Sequence, residues 1–115
     1  MADNINAVSF MPYSYGPPQN ALRNGIADSN YTATTSDTIV ALTSLSAARI
    51  ITLPAASTFT GGQQIIIKDE SGSCSSGNTI TVAGTIDGGT NYVLNSAYAS
   101  VRLYSNGSNW HKVGA

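Results

Sequence analysis

The stretch Gln63-Gln64-Ile65-Ile66-Ile67-Lys68 decides the fold class of this chain. Turn-forming residues delimit it on both sides, since Gly61-Gly62 precedes it and a Ser/Gly-rich run follows at residues 71–77. Its three consecutive isoleucines are β-branched and put apolar side chains on both faces of an extended backbone. This pattern predicts a β-strand that is buried on both sides.

Similar short segments surround this strand, and residues 79–82 alternate apolar and polar side chains as a half-buried strand does. Pro54 ends the preceding run because proline has no N–H for a strand ladder. Gly88 and Gly89 predict one chain reversal, and Asn106-Gly107 predicts a hairpin turn of type I′. No helix is expected beyond a short turn at Ala47 or at residues 55–57. The predicted strands are residues 38–43, 49–53, 63–68, 79–82, 91–94, 100–104 and 109–113.

The fold class predicted from these strands is all-β, an antiparallel sandwich or barrel-like module with an extended N-terminal arm. The arm comprises residues 1–30, which contain three of the four prolines, and the β module comprises residues 31–115. The arm is either a disordered leader or an extended segment that orders on another chain. We favour the second because its exposed apolar side chains need a partner. The predicted capsid-contacting residues of the arm are Phe10, Met11, Tyr13, Tyr15 and Leu22.

The composition limits the possible partners of the chain. Charged residues make up 10% of the 115 residues and the net charge is −1, against about 25% charged residues in an average protein. Ser, Thr and Asn contribute 37 residues, so the surface is polar but uncharged. Without a basic patch, neither nucleic acid nor an anionic membrane is an expected partner. One small core also favours oligomer formation, which buries additional surface.

Side chains capable of catalysis are few, and we expect no enzyme activity, no catalytic residue, no cofactor and no metal. His111 is the only histidine, and Cys74 is the only cysteine, set in a run that predicts a flexible turn and a passive thiol. Asp87 is expected to cap a turn, with a functional carboxylate as the alternative. The serines form neither a nucleophile elbow nor a phosphate loop. The N-terminus has no signal-peptide pattern, so we expect synthesis in a cytoplasm.

Several motifs in residues 31–113 together resemble a module that recurs in bacteriophage tail fibres, tail spikes and head-decoration proteins. The resemblance implies an antiparallel β module that assembles as a homotrimer on a virion, while residues 1–30 fall outside the shared pattern. The motifs, in order, are Tyr31-Thr32-Ala33-Thr34, Ile50-Ile51-Thr52-Leu53-Pro54-Ala55-Ala56, Ile65-Ile66-Ile67-Lys68-Asp69, Asn78-Thr79-Ile80-Thr81-Val82, Gly84-Thr85-Ile86-Asp87-Gly88 and Tyr104-Ser105-Asn106-Gly107 before Trp110.

The function expected from this resemblance is a capsid decoration or cement protein that stabilises the phage head as a homotrimer. Its partners are then copies of itself and the major capsid protein or another virion protein, and its location is the capsid surface after synthesis in the host cytoplasm. The alternative is a tail fibre, receptor-binding or adaptor module that recognises a host surface glycan. A bacterial adhesin-like or prophage-derived protein with the same fold is a third interpretation.

Two aromatic residues near the C-terminus, Tyr104 and Trp110, are predicted to pack between subunits. For Trp110 the sequence leaves three roles open: the core of the chain, a contact between subunits, or a platform for a sugar ring.

Overall fold

The structure is a computed structural model that describes residues 23–59 and 61–114. In these residues the only helix is a 3-10 turn at Ala56–Thr58, and none is long and apolar enough to cross a membrane. The strands form one nine-stranded sheet. They are β1 (Arg23–Ala27), β2 (Tyr31–Thr32), β3 (Ile39–Ser44), β4 (Arg49–Thr52), β5 (Gln64–Asp69), β6 (Ile80–Ile86), β7 (Gly89–Leu94), β8 (Ser100–Ser105) and β9 (Trp110–Lys112).

The first six strands wind as a three-turn coil. Odd-numbered strands β1, β3 and β5 pair in parallel in one layer, and even-numbered strands β2, β4 and β6 pair in parallel in the other. Each turn of the chain therefore contributes one strand to each layer. Such a coil stacks equivalent positions above one another, as repeat proteins do.

The interior of the coil is filled by the inward-facing residues of both layers. In the odd-numbered layer Val40 lies opposite Asn24 and Ile67. In the even-numbered layer Ile51 lies opposite Tyr31 and Val82. Aliphatic side chains at the second and third turns are fully buried, whereas the first turn carries polar side chains at the same positions. The remaining residues of this core include Leu42, Ile65, Ile80, Leu94, Val101 and Leu103.

The last strands connect the two layers. β8 returns antiparallel to β5, and β9 pairs antiparallel to β8. Trp110 of β9 also lies beside Ile86 of β6, so the sheet closes almost completely into a barrel. The strand β7 adds an antiparallel hairpin to β6. The predicted all-β, barrel-like fold is confirmed.

The strand directions are mixed, in contrast to the antiparallel arrangement expected from the sequence. Five of the eight pairings are parallel and three are antiparallel. The reason is that consecutive strands of the coil lie in opposite layers and pair with the strand of the next turn. Only the hairpins and the return of β8 produce antiparallel neighbours.

The type I′ turn predicted at Asn106-Gly107 occurs instead at the other predicted reversal. Asp87 and Gly88 both have positive φ, 52° and 78°, which is the pattern of a type I′ hairpin turn between β6 and β7. Between β8 and β9 only Gly107 has a positive φ. There the Asn106 side-chain oxygen accepts hydrogen bonds from the N–H groups of Ser108 and Asn109, so a longer Asx-type loop replaces the expected two-residue turn.

The first turn of the coil is closed by a polar network. The Asn24 side chain donates to the Tyr31 hydroxyl over 2.9 Å, and that hydroxyl donates to the Asp37 carboxylate over 2.7 Å. Burial raises the pKa of Asp37, but hydrogen bonds from the Thr34 N–H, Tyr31 and Asn24 outweigh it and leave the pKa below its ordinary value. In the described residues, these polar groups adjoin the aliphatic interior of the next two turns, as the polar groups of capping repeats do.

The sheet begins before residue 30, the predicted boundary between the arm and the β module. β1 lies at Arg23–Ala27, inside the segment predicted as an arm. Its five residues have a central glycine and only one buried side chain, Ile26. The alternation that identifies a strand is therefore weak in this stretch of sequence.

A second buried carboxylate, Asp69, ties two loops to the end of β5. It accepts hydrogen bonds from the hydroxyl and N–H of Ser71 and from the N–H groups of Cys74 and Tyr98. Burial raises the pKa of this carboxyl, and the four hydrogen bonds lower it further than burial raises it. Cys74 itself is buried and donates to the Leu94 carbonyl over 3.2 Å, and burial raises the pKa of its thiol. The run around Cys74 is thus an ordered loop rather than the flexible turn expected.

We predict that Asp69→Asn lowers the free energy of unfolding at pH 7 by about 3 kcal/mol, because the amide NH₂ leaves buried N–H donors unpaired. Since the folded pKa of Asp69 lies below 3.8, its contribution is complete above that unfolded value and is lost as the pH falls through the folded value. The variant should therefore show a smaller loss of stability than the wild type between about pH 5 and pH 2. Urea unfolding at each pH measures both effects. Glu70→Gln, which removes an exposed carboxylate next to Asp69, is the control and should change stability little.

Candidate interaction surface

The outward side of the even-numbered layer carries exposed apolar residues. Alternation along β4 buries Ile51 and leaves Ile50 outward with 46% of its surface exposed, and Val93 of β7 is exposed to the same fraction. Exposed branched aliphatic residues on a sheet face are a feature of interaction surfaces when they adjoin one another.

The strand register brings these residues together. Ile50 lies directly opposite Thr81 of β6, and Thr81 lies opposite Val93. A second row runs beside the first, because Thr52 lies between Thr32 and Ala83. We call the two rows the β4 face; it comprises Thr32, Ile50, Thr52, Thr81, Ala83 and Val93.

The β4 face has a shallow depression and no charge among its own residues. The depression has a volume of about 250 Å³ and is lined by Asn30, Tyr31, Thr32, Ile50 and Thr52. The first row alternates aliphatic residues with a threonine, and the second consists of two threonines and an alanine. This face can contact another uncharged surface without desolvating an ion.

The charged groups at the edge of the β4 face are paired with each other. Arg49 forms an ion pair with Asp28 over 3.0 Å, and the Ser46 hydroxyl and N–H also donate to Asp28. These contacts, the Ser46 hydrogen bonds above all, lower the pKa of Asp28 to about 2. The Asn30 side chain accepts the Ile50 N–H over 2.9 Å and holds β4 in place.

A cluster of titratable and polar side chains lies at the other end of the sheet. Nδ1 of His111 is 3.0 Å from the Asp87 carboxylate, and its Nε2 is 3.3 Å from the Asn106 amide. The Tyr104 ring packs against the imidazole with 5.6 Å between centroids. Asp87 also accepts the N–H of Lys112, so it joins the β6–β7 turn to β9. The cluster thus connects three strand ends, and none of its described hydrogen bonds involves the hydroxyl or thiol group of a serine, threonine or cysteine.

The described part of the chain has no cluster of side chains that could bind a metal ion. In residues 23–59 and 61–114, no three His, Cys, Asp or Glu side chains lie close enough together to hold an ion.

The sequence leaves three roles open for Trp110, and the structure places it in the core of the chain. Only 3% of its surface is exposed, its indole N–H donates to the Pro54 carbonyl over 2.9 Å, and its ring meets Phe59 edge-on at 5.0 Å. This burial leaves almost no Trp110 surface for a second subunit or a sugar. Tyr104 is half-buried, and its contact with another subunit stays a prediction.

The residues predicted in the arm, Phe10, Met11, Tyr13, Tyr15 and Leu22, lie outside the described residues. Their contact with the capsid therefore stays a prediction. The sequence reasoning missed Ile50 and Val93, although strand alternation next to Ile51 is a signal that could have placed Ile50 outward.

Comparison with known proteins identifies no relative. No family model matches the chain, and neither a curated protein nor a solved structure matches it. Functional inference for this chain therefore depends on its own residues and on the sequence resemblance.

We predict that Trp110→Ala lowers the free energy of unfolding by about 3–5 kcal/mol, the usual cost of removing a large buried aromatic side chain. Trp110→Phe should cost less, because it keeps most of the packing against Phe59 and loses the hydrogen bond to Pro54. Urea unfolding followed by circular dichroism measures both variants. A Trp110→Ala protein as stable as the wild type would contradict the core role.

Proposed function

We propose that this chain is a structural protein of a bacteriophage virion, a capsid decoration protein that stabilises the head as a homotrimer. The motifs of residues 31–113 support the virion assignment through their resemblance to phage fibre and decoration modules. The observation that carries the proposal is the β4 face, an exposed and uncharged surface whose neighbouring ions are already paired. Such a face suits permanent contact with another protein surface.

The trimer partner proposed for the β4 face is a second copy of the same chain. A three-fold ring uses two different patches of each subunit, so the β4 face packs on another surface of the neighbouring copy. An uncharged face contacts that surface without unpaired buried ions. A core built by about ninety described residues is small, and burial of Ile50 and Val93 against a neighbour adds apolar contact.

A cement role follows from many such contacts acting together. A trimer contacts the shell at three equivalent places, and each contact raises the effective concentration of the others. Together, these weak uncharged contacts then hold the trimer firmly on the shell without strongly charged groups. The arm is proposed to supply the shell contact, since its apolar residues Phe10, Tyr13 and Tyr15 are joined to the capped first turn through residues 16–22.

We predict that Ile50→Asp weakens the trimer by at least about tenfold, equivalent to about 1.4 kcal/mol, because a carboxylate would be buried in an apolar contact. Sedimentation at micromolar concentration should show the wild type at three times the chain mass of 11.9 kDa and the variant shifted toward the monomer. Val113→Asp is the matched control, since Val113 is exposed to 41% and lies outside the β4 face. A wild-type monomer, or equal effects of both substitutions, would refute the role of the β4 face.

A second prediction concerns attachment to the particle. Deletion of residues 1–22 should leave the β module folded, because every described strand lies after them, and should abolish binding to virions stripped of the protein. Circular dichroism checks the fold and co-sedimentation checks binding. The full-length chain should restore the heat and chelator tolerance of stripped heads. Stripped heads that are as tolerant as complete ones would contradict the cement role, whatever the arm does.

A further inference from the structure

The chain contains two Asn-Gly dipeptides, Asn24-Gly25 and Asn106-Gly107. In such a dipeptide the glycine nitrogen can attack the asparagine side chain, because glycine has no side chain to hinder it and the attack is intramolecular. The attack converts the asparagine carboxamide into a carboxylate. Its rate depends on the groups around the amide, so the two dipeptides place the same reactive pair in two environments.

The Asn106 carboxamide is held through both its oxygen and its nitrogen in the loop between β8 and β9. Its Oδ1 accepts the N–H of Ser108 over 2.9 Å and the N–H of Asn109 over 2.8 Å. Two N–H donors on one carbonyl oxygen stabilise the negative charge that the oxygen gains when its carbon is attacked. Asn106 is also exposed, so solvent water reaches the amide.

His111 faces the amide nitrogen that must leave. Its Nε2 lies 3.3 Å from Nδ2 of Asn106, and its Nδ1 lies 3.0 Å from the Asp87 carboxylate. In the protonated imidazole, Nε2 carries a proton directed at Nδ2 of Asn106. Proton donation to a departing nitrogen is general acid catalysis. Asp87 acts only through the imidazole, which it orients, and is therefore a positioning residue.

The attacking group is the backbone nitrogen of Gly107. Its N–H donates to the Ser105 hydroxyl over 3.0 Å, and that hydroxyl donates to the Ala56 carbonyl over 2.7 Å. Gly107 has a φ of 95°, and no atom lies within 4 Å of the place where a Cβ would stand. The backbone thus has space to rotate as the ring closes.

We propose that Asn106 is a self-modification site, where Gly107 displaces the side-chain amide as ammonia. The Gly107 nitrogen loses its proton to solvent and bonds to Cγ of Asn106. The bond from Cγ to Nδ2 breaks, and Nδ2 takes a proton from the His111 imidazolium, which solvent reprotonates. The product is a five-membered succinimide. One water molecule opens it at either carbonyl, which leaves aspartate or isoaspartate at position 106.

The surroundings of Asn24 oppose the same reaction. Asn24 is half-buried in β1, and its Nδ2 donates to the Tyr31 hydroxyl over 2.9 Å and to the Asp37 carboxylate over 3.2 Å. The negative charge of Asp37 disfavours a second negative charge on the adjacent carboxamide. Within residues 23–59 and 61–114, no hydrogen bond to Oδ1 of Asn24 offsets this effect. The first dipeptide is therefore an internal reference for the second.

Modification of Asn106 changes both charge and backbone in the hairpin of β8 and β9. A neutral amide is replaced by a carboxylate beside His111, and isoaspartate adds one carbon to the main chain. The Ser108 and Asn109 N–H groups then bind a charged oxygen or lose their partner. This irreversible change goes beyond the decoration role and does not depend on it.

The test incubates the full-length protein at pH 7 in water labelled with heavy oxygen. Peptide mapping by mass spectrometry then measures aspartate and isoaspartate at positions 24 and 106. We expect Asn106 to convert at least about tenfold faster than Asn24, and faster than in the isolated peptide of residues 103–112. His111→Gln should slow Asn106 at least about tenfold. Lys112→Gln is the matched control on β9, because the Lys112 ammonium group lies over the Tyr92 ring.

Four results would overturn the assignment. Equal conversion of Asn24 and Asn106 would show that the dipeptide alone sets the rate, and slower conversion than in the peptide would show that the loop protects Asn106. Equal slowing by both substitutions would remove the role of His111. Cleavage of the chain after Asn106 would indicate attack by Nδ2 on its own main-chain carbonyl. Circular dichroism verifies the fold of each variant, and the comparison of Asn106 with Asn24 needs only the wild type.

Discussion

The whole structure depends on the stacking of inward-facing side chains from successive turns of the coil. Val40 and Ile67 in one layer, and Ile51 and Val82 in the other, occupy equivalent positions in neighbouring turns. Each strand is too short to bury its own apolar face, and it does so only when the next turn covers it. The parallel pairing within each layer, the closure by β9 and the exposed faces all follow from that arrangement.

Buried carboxylates complete this arrangement at two places. Asp37 closes the first turn together with Asn24 and Tyr31, and Asp69 gathers the N–H groups of two loops at the end of the third turn. A buried carboxylate is favourable only with several donors around it, and both have them. The chain thus uses two of its few acidic groups to order loops that lack regular secondary structure.

Most strand positions from residue 38 onward were predictable because the signal is local, whereas β1 and β2 were missed. The isoleucine run at residues 65–67 and the alternation at residues 79–82 lie in β5 and β6, and Pro54 follows the end of β4. The turn types were not predictable from the sequence. Asn106 uses its side chain to hold a longer loop, whereas Asp87 adopts the left-handed backbone that a tight hairpin requires. Of the aromatic residues proposed for subunit contacts, Trp110 lies in the core, because Pro54 and Phe59 are distant in sequence but adjacent to it in space.

The amino-acid sequence by itself determined the β class, most strand limits and the scarcity of charge, because each is a property of neighbouring residues or of composition. Only the tertiary structure decided which strands are neighbours, and with them the parallel coil and the β4 face. Ile50 and Val93 come together on the β4 face through strand register. Strand register and sheet closure cannot be read from the linear sequence. A short strand has two free edges, and its partner depends on how the connecting loops cross the core.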